Sequence, residues 1–234
     1  RLFPEAKLIG SGKNIGFAAA CNLAAGQAVG EYLLFLNPDV IVEPDSILTL
    51  LQVGRERFDA GLIVPRLAFP NGSFQANCRR FPTASNMIFS RRSALSRLTR
   101  FLDSTGKYTL PDSEETSEVE AVAATLALVK RSLFEEVGRF DQRFFLYMED
   151  TDLSLRINQS GRVNLFVPSV TVLHHWGEGS KASYLYRASR HHWSVWQYFL
   201  KHHPNGFALV VLPLLLTINY LLTLASLPFR KDRN

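Results

Sequence analysis

The chain has 234 residues, of which 47% are hydrophobic, and this is enough for one sizeable α/β core. Its two cysteines, Cys21 and Cys78, lie in no CxxC pair, which argues against a disulfide framework or a structural zinc site. The formal charge of +5 predicts an anionic partner. Because the basic residues form short local clusters, we expect a membrane surface or a phosphorylated ligand rather than a nucleic acid.

Hydrophobic runs and turn signals predict strands that alternate with helices in the first part of the chain. Tyr32–Leu36 and residues 60–69 are continuous apolar runs of strand length, as expected for strands buried on both faces. The remaining predicted elements are a short strand at residues 5–9, a helix at residues 18–28 and a helix that is capped by Asp45 or Ser46.

Residues 75–117 are predicted to be an irregular segment that contains one short helix, at residues 85–102. Regular elements resume after it: a strand at 121–130, a helix at 132–137 ended by Gly138, a helix at 152–159, and a strand pair around 163–175. Strands that alternate with helices predict an α/β fold with a mostly parallel, doubly wound sheet. Because the chain starts without Met and inside a folded pattern, this domain, residues 1–205, is predicted to be incomplete at its N-terminus.

Residues 206–234 form a different predicted unit, an apolar segment with a basic tail. Residues 207–229 contain no charged residue across 23 positions, which meets the roughly 20-residue length of a bilayer-spanning helix. A buried core helix of this length normally has a polar face, and this one has none. The segment is therefore predicted to associate with a membrane, either by spanning it or by lying in its interface.

The glycine-rich turn "GSGKNIG", residues 10–16, is the first candidate binding element. Its G-x-G-x-x-x-G spacing is one residue longer than the dinucleotide fingerprint, and the only acid at the required distance, Glu31, leads into the next strand. A nucleotide-binding oxidoreductase is therefore a poor interpretation, and an ordinary strand-to-helix turn explains the glycines equally well. Such a turn still aims backbone N–H groups at a phosphate or a polar ring, and Lys13 and Asn14 add donors.

The stretch "FLNPDV" places Asp39 directly after a buried strand. In open α/β sheets the carboxyl ends of the strands are where ligands bind. One carboxylate together with substrate oxygens is the usual arrangement around Mg²⁺. Asn, Pro and Asp are also favoured turn residues, so a purely structural turn is an equal alternative.

The stretch "FFLYMEDTDLSLR", residues 144–156, places three acids after an apolar run. Asp150 or Thr151 is predicted to cap a helix, and Asp152 is explained by the positive end of the helix dipole. Glu149 precedes that predicted cap and is left without a structural explanation. A carboxylate at an apolar rim binds its proton more tightly, as a general base for a hydroxyl group requires.

Two histidines, His174 and His175, end the predicted strand "VTVLHH". One of the pair is expected to be buried structure. The other, next to Trp176, is predicted to be a metal ligand or a substrate contact.

Four segments in this order, "GKNIGFAAACN", "YLLFLNPDVIVEPDSI", "ALVKRSLFEEVGRFDQRFFLYMEDTDLSLR" and "VPSVTVLHHWGEGS", resemble the family 2 glycosyltransferases, especially the rhamnosyltransferase-like branch. The resemblance implies a GT-A fold, a Rossmann-like nucleotide-sugar-binding α/β domain. It also implies that the family's N-terminal strand and nucleotide-binding Asp loop are absent from this chain.

The resemblance also implies the residues of the donor side. "NPD" occupies the position of the family's DxD motif, with Asn37 departing from its first Asp. Asp39 and His174 would hold a divalent metal, Mg²⁺ or Mn²⁺, on the diphosphate of the donor. The residues implied to line the nucleotide are Asn14, Gly16 and Phe17.

On the acceptor side, the resemblance implies that Asp150 is the catalytic base, with Glu149 and Trp176 contacting the acceptor. The implied reaction is an inverting transfer of rhamnose or a similar hexose from a nucleotide-diphosphate sugar to a glycan or lipid-linked acceptor in cell-surface polysaccharide synthesis. The implied location is the cytoplasmic face of the bacterial inner membrane. A non-catalytic, membrane-anchored module that binds sugars or nucleotides is the alternative, and it would show no turnover.

Overall fold

A mixed β-sheet forms the centre of the computed structural model, which describes residues 4–10, 12–88, 108–175, 183–206 and 208–226. The strands are β1 (Tyr32–Leu36), β2 (Val40–Ile41), β3 (Ala60–Ala68), β4 (Phe74–Gln75), β5 (Cys78–Arg79), β6 (Ser117–Val119), β7 (Ala121–Val122), β8 (Leu126–Lys130) and β9 (Val163–His174). The helices are α1 (Phe17–Ala25), α2 (Pro44–Glu56), α3 (Ala84–Ile88), α4 (Arg131–Glu136), α5 (Glu149–Gln159), α6 (Tyr184–His202) and α7 (Ala208–Ser226).

The strand order of the main sheet is β1-β8-β3-β9-β2, with β4 paired to β3 and β6 paired to β9. Only β3 and β9 pair in parallel among the described strands, and the other pairs are antiparallel. The predicted mostly parallel sheet is therefore wrong, because β8 runs between β1 and β3 in the opposite direction. An apolar run that is buried on both faces does not encode its direction, so the sequence pattern could not distinguish the two cases.

The prediction of an α/β fold is confirmed, although several boundaries differ. Residues 5–9 form no strand, and the predicted strand at 121–130 is divided into β7 and β8. The predicted strand pair near 163–175 is one long strand, β9, whose register against β3 shifts at a bulge. The part of the predicted helix at 85–102 that follows Ile88 lies outside the described residues.

Helix starts also differ from the sequence prediction. Helix α2 begins at Pro44, with Glu43 as the N-cap residue, because proline suits the first helical position. Helix α1 begins at Phe17 and ends at Ala25, so it is shorter than predicted.

Strand β3 divides the core, since its successive side chains point to opposite faces of the sheet. Leu62 and Val64 pack on one face with Phe134 and Phe140, and Ile63 packs on the other face with Leu50 of α2. Burial on both faces is what the continuous apolar run predicted.

A third apolar cluster joins α6 and α7 to the segment before α5. Its buried members are Met87, Phe144, Met148, Val195, Tyr198, Phe199, Leu212 and Leu216. Within the part of the chain that the structure describes, no helix is long and apolar enough to cross a membrane. Helix α7 instead packs one face against this cluster through Leu212 and Leu216.

Candidate active site

The carboxyl ends of β1 and β9 bring Asp39 and His174 together. Val40 of β2 pairs with His174 of β9, so Asp39, one residue earlier, faces the end of β9. The Asp39 Oδ1 atom lies 3.3 Å from His174 Nε2, and both side chains are nearly buried. The turn that carries Asp39 is held by the backbone N–H of Asn37, which donates to Thr125 O at 2.9 Å.

His174 has the hydrogen bonding of a metal-ligating imidazole. Its Nδ1 atom lies 2.9 Å from Gln75 Oε1, so a proton on Nδ1 can be donated to this amide oxygen. With the ring proton on Nδ1, Nε2 presents a lone pair on the side of the Asp39 carboxylate, as a metal ligand would, whereas a doubly protonated ring would form an ion pair with Asp39. A hydrogen bond from the second ring nitrogen is the usual support for a histidine ligand.

This pair fits the divalent metal that the motif implies. Neighbouring ligands of an octahedral ion with bonds of about 2.1 Å lie about 3 Å apart, close to the observed separation. Among the described residues, no group of three or more His, Cys, Asp or Glu side chains gathers as a metal site. Mg²⁺ sites commonly have only one or two protein ligands and complete their shell with water and substrate phosphates.

The glycine-rich turn lies against the segment that carries the acids. Gly16 has φ +84°, and its N–H donates to Asn14 Oδ1 at 3.0 Å. The Phe17 N–H donates to Phe145 O at 3.2 Å, and the Phe17 ring meets the Phe140 ring edge-on at 5.6 Å. Of the residues predicted to line the nucleotide, Phe17 therefore also bonds residue 145, and Gly16 lies directly against it.

Replacing Gly16 with alanine is expected to destabilise the fold by roughly 2–4 kcal/mol. An added Cβ would lie 2.5 Å from Phe145 O, and the positive φ would strain the backbone as well. Chemical denaturation measures the loss. Gly72→Ala is the matched control, because Gly72 has φ +80° but no atom within 4 Å of the added carbon, and about 1 kcal/mol is expected there. Equal losses in the two variants would show that the contact with Phe145 is unimportant.

The helix that carries the acids begins at a strained turn. Tyr147 and Met148 have φ of +68° and +70°, and each left-handed residue costs of the order of 1–2 kcal/mol. Met148 is the N-cap residue, no side chain caps the helix, and α5 begins at Glu149. The predicted cap at Asp150 or Thr151 is therefore wrong, and Glu149 lies inside the first turn rather than before it. Neither tyrosine nor methionine favours the left-handed conformation, so no local pattern indicates this turn.

Asp150 is held by an arginine that the sequence analysis did not single out. Arg79 Nη2 donates to Asp150 Oδ2 at 2.7 Å, and the backbone N–H of Thr151 donates to Asp150 Oδ1 at 2.6 Å. The Asp150 side chain keeps 14% of its surface exposed. Thr151 Oγ1 also donates to Oδ1, at 3.1 Å, so it is Oδ2 that keeps a lone pair to which an acceptor hydroxyl can donate.

Glu149 is buried beside Asp150, and its Oε2 atom has no hydrogen-bond partner among the described residues. Burial, followed by the charge of Asp150, raises the pKa of Glu149 to about 8. The raised proton affinity expected for this position is thus present. At neutral pH Glu149 is mainly protonated and is a hydrogen-bond donor next to the Asp150 carboxylate.

A short stretch of chain contacts both the Asp39–His174 pair and the Glu149–Asp150 pair. Gln75, on β4, contacts His174, and Arg79, on β5, contacts Asp150. Arg79 is four positions beyond Gln75 in the chain, so their Cα atoms are at most about 14 Å apart. The Asp39–His174 pair and the Glu149–Asp150 pair are therefore connected through residues 75–79.

Comparison with known proteins assigns the family. A model of the family described as glycosyl transferase family 2 matches residues 2–138, more than half of the chain. The chain belongs to glycosyl transferase family 2. This family 2 chain is 30% identical over 217 residues to the N-acetylglucosaminyl-diphospho-decaprenol L-rhamnosyltransferase of Mycobacterium tuberculosis, with 81% of this chain and 69% of the relative covered. It is also 29% identical over 192 residues to rhamnosyltransferase WbbL of Escherichia coli, covering 78% of this chain and 69% of that protein.

Solved structures confirm the fold of this family 2 glycosyltransferase. A crystal structure of GalNAc-T7 with UDP, GalNAc and Mn²⁺ has a TM-score of 0.54 and 16% identity, covering 91% of this chain and 43% of that one. This chain spans less than half of that protein, and the likeness concerns the fold alone. The predicted GT-A type of α/β fold is thereby confirmed.

Other predicted site residues have mixed outcomes. The His174 ring faces Asp39, whereas His175 contacts Asp39 through its backbone N–H, which donates to Asp39 O at 2.9 Å. Trp176, the predicted acceptor contact, lies outside the described residues. Two residues of the site could not be found from the sequence: Arg79 belongs, with Arg80, to one of the short basic clusters, and Gln75 has no distinguishing pattern. Their partners lie 71 and 99 residues away, beyond the reach of any local pattern.

Proposed function

We propose that this family 2 chain is an inverting glycosyltransferase that transfers rhamnose or a similar hexose from a nucleotide-diphosphate sugar to a hydroxyl of a glycan or lipid-linked acceptor. The observation that carries the proposal is the Asp150 carboxylate, oriented by Arg79 and partly exposed, in a chain that also pairs Asp39 with His174 at the end of β9. The relatives' names support rhamnose as the sugar and a lipid-diphosphate-linked acceptor. The reaction would then serve the synthesis of a cell-surface polysaccharide.

In the proposed mechanism, Asp150 accepts the proton of the acceptor hydroxyl. The hydroxyl oxygen attacks the anomeric carbon of the donor from the face opposite the diphosphate. The bond from the anomeric carbon to the diphosphate oxygen breaks, and its electron pair leaves with the diphosphate. Asp39 and His174 would hold a divalent cation, which stabilises negative charge on the leaving diphosphate when it is bound.

The raised pKa of Glu149 argues against Glu149 as the nucleophile of a double displacement. A retaining double displacement uses one carboxylate as the nucleophile. A second group beside it acts as the acid or base. With a pKa of about 8, Glu149 is mostly neutral at pH 7 and is a poor nucleophile. We propose that it donates a hydrogen bond to the acceptor or to Asp150 instead.

The experiment that tests this function is a transfer assay on the full-length protein. Donors are nucleotide-activated rhamnose, galactofuranose, galactose and glucose, and the acceptor is a synthetic N-acetylglucosaminyl diphosphopolyprenol. We expect one donor, rhamnose first, to give a metal-dependent product with inverted anomeric configuration. Binding of donors without any transfer would favour the non-catalytic module and overturn the proposal.

We further propose that residues 206–234 associate with the cytoplasmic face of the bacterial inner membrane and that residues 1–205 form the catalytic domain. Helix α7 packs Leu212 and Leu216 inwards, while Val210, Leu214 and Leu221 on its outer face are 75%, 62% and 56% exposed. A helix with one apolar face packed on the protein and another left outside is suited to lie in the membrane interface. A lipid-linked acceptor would then reach the site from the membrane.

Replacing Val210 and Leu214 with aspartate is expected to lower binding to phosphatidylglycerol–phosphatidylethanolamine vesicles at least about tenfold. Each apolar side chain contributes about 1.5–3 kcal/mol when it is buried in lipid, and aspartate reverses that contribution. Sedimentation of the full-length protein with vesicles measures the change. Leu48→Asp on α2 is the control, since Leu48 is 63% exposed but lies outside the proposed surface. Equal sedimentation of the double variant and wild type would refute the membrane role of α7.

A further inference from the structure

Asp152, assigned from sequence to the helix dipole alone, has a buried ionic environment of its own. Its side chain is fully buried, and Oδ1 accepts hydrogen bonds from Lys201 Nζ at 2.6 Å and from His202 Nε2 at 2.7 Å. Arg156 Nε donates to Oδ2 at 2.9 Å. Burial tends to raise the pKa of Asp152, but the bond from His202, the charge of Arg156 and the bond from Lys201 together hold it below its usual value.

These contacts join α6 to α5 near the first turn of α5, which contains Glu149 and Asp150. Asp152 belongs to the first turns of α5, whereas Lys201 and His202 belong to the last turn of α6. The backbone N–H of Asp152 also donates to Met148 O at 2.8 Å. Asp152 therefore bonds the left-handed Met148 through its backbone N–H and bonds α6 through its side chain.

The start of α5 depends on such long-range support. Tyr147 and Met148 are both left-handed, and no side chain caps the helix, so local preferences oppose this conformation. Helix α6 also contacts the residues just before α5. Ser194 Oγ donates to Leu146 O at 2.8 Å, and the His191 ring contacts the Tyr147 ring with centroids 5.5 Å apart. The Asp152 contacts are the charged part of this interface.

We infer that Asp152, with Lys201 and His202, is a positioning residue that fixes the first turn of α5 against α6 and so keeps Asp150 oriented towards the acceptor. The inference rests on the proposed function where it takes Asp150 as the base. Asp152 itself is fully buried and contacts no substrate. Removing its charge would leave Lys201 and Arg156 without their buried partner, and the turn would relax from its strained conformation.

The test compares Asp152→Asn with wild type in the full-length protein, at a temperature where both are folded. We expect kcat for transfer to fall about 100-fold, because a displacement near 1 Å costs that much, while the KM for the donor stays within twofold. Hydrogen exchange of the backbone amides of residues 147–151 is expected to speed up at least tenfold, with exchange in β3 unchanged. A loss of general stability alone would not produce this combination.

Arg143→Gln is the matched control, because Arg143 pairs with Asp141, which also binds Lys201, yet Arg143 is largely exposed and does not touch Asp152. It is expected to leave kcat and local exchange unchanged. If Asp152→Asn fails to fold, Lys201→Met replaces it, with at least a tenfold loss of kcat expected and recovery in Lys201→Arg. A folded variant with wild-type kcat and wild-type exchange overturns the inference. If wild type transfers no sugar, the proposed function fails separately, and the exchange measurement alone decides the positioning role.

Discussion

Replacing Asp39 with asparagine is expected to weaken divalent-dependent binding of a nucleoside diphosphate at least about 100-fold. Asparagine keeps the size of the side chain but removes the negative charge that would face the cation, and His174 Nε2, 3.3 Å away, loses its anionic neighbour. Calorimetry with UDP, GDP and dTDP, each with Mn²⁺, measures the binding. Chelation of the metal should have the same effect on wild type as the substitution.

The control for this prediction is Asp45→Asn. Asp45 is exposed in the first turn of α2, six residues beyond Asp39, and it takes no part in the site. It should bind the diphosphates as wild type does. Undiminished, Mn²⁺-dependent binding by the Asp39 variant would show that the metal lies elsewhere or that none is used.

The candidate site residues at the ends of strands could be identified from the sequence. Asp39 follows β1 and His174 ends β9, and the pairing of Val40 with His174 brings the two together, as the family resemblance implied. Their role as metal ligands remains a prediction, whereas their proximity is observed. The acids at Glu149 and Asp150 were likewise recognisable, because a charged pair after an apolar run is a local pattern.

The geometry that supports those acids could not be predicted from local patterns. Left-handed Tyr147 and Met148 have side chains that do not favour that conformation, so only tertiary contacts explain it. Asp152 follows the rule for the start of a helix, yet its burial depends on Lys201 and His202, about 50 residues away. The antiparallel direction of β8 depends on how the chain connects the strands, which the composition of β8 does not indicate. Propensity describes the elements here, and long-range contacts determine the details of the site.

Replacing Asp150 with asparagine is expected to reduce sugar transfer about 1000-fold, within the range of a lost general base. Asparagine fits the same space, and its oxygen can still accept from Arg79 or from the Thr151 N–H, so the fold and donor binding should survive. What is lost is the ability to take a proton from the acceptor hydroxyl. Asp112→Asn is the matched control, because Asp112 is also paired with an arginine, Arg66, but lies in an exposed ion pair outside the site.

The most direct test is the rate of transfer at saturating donor and acceptor, measured in parallel for wild type, the Asp150 variant and the Asp112 variant. The account predicts a rate about 1000-fold below wild type for Asp150→Asn, with unchanged donor affinity and an unchanged rate for the control. A transfer rate for Asp150→Asn within tenfold of wild type would contradict the assignment of Asp150 as the base.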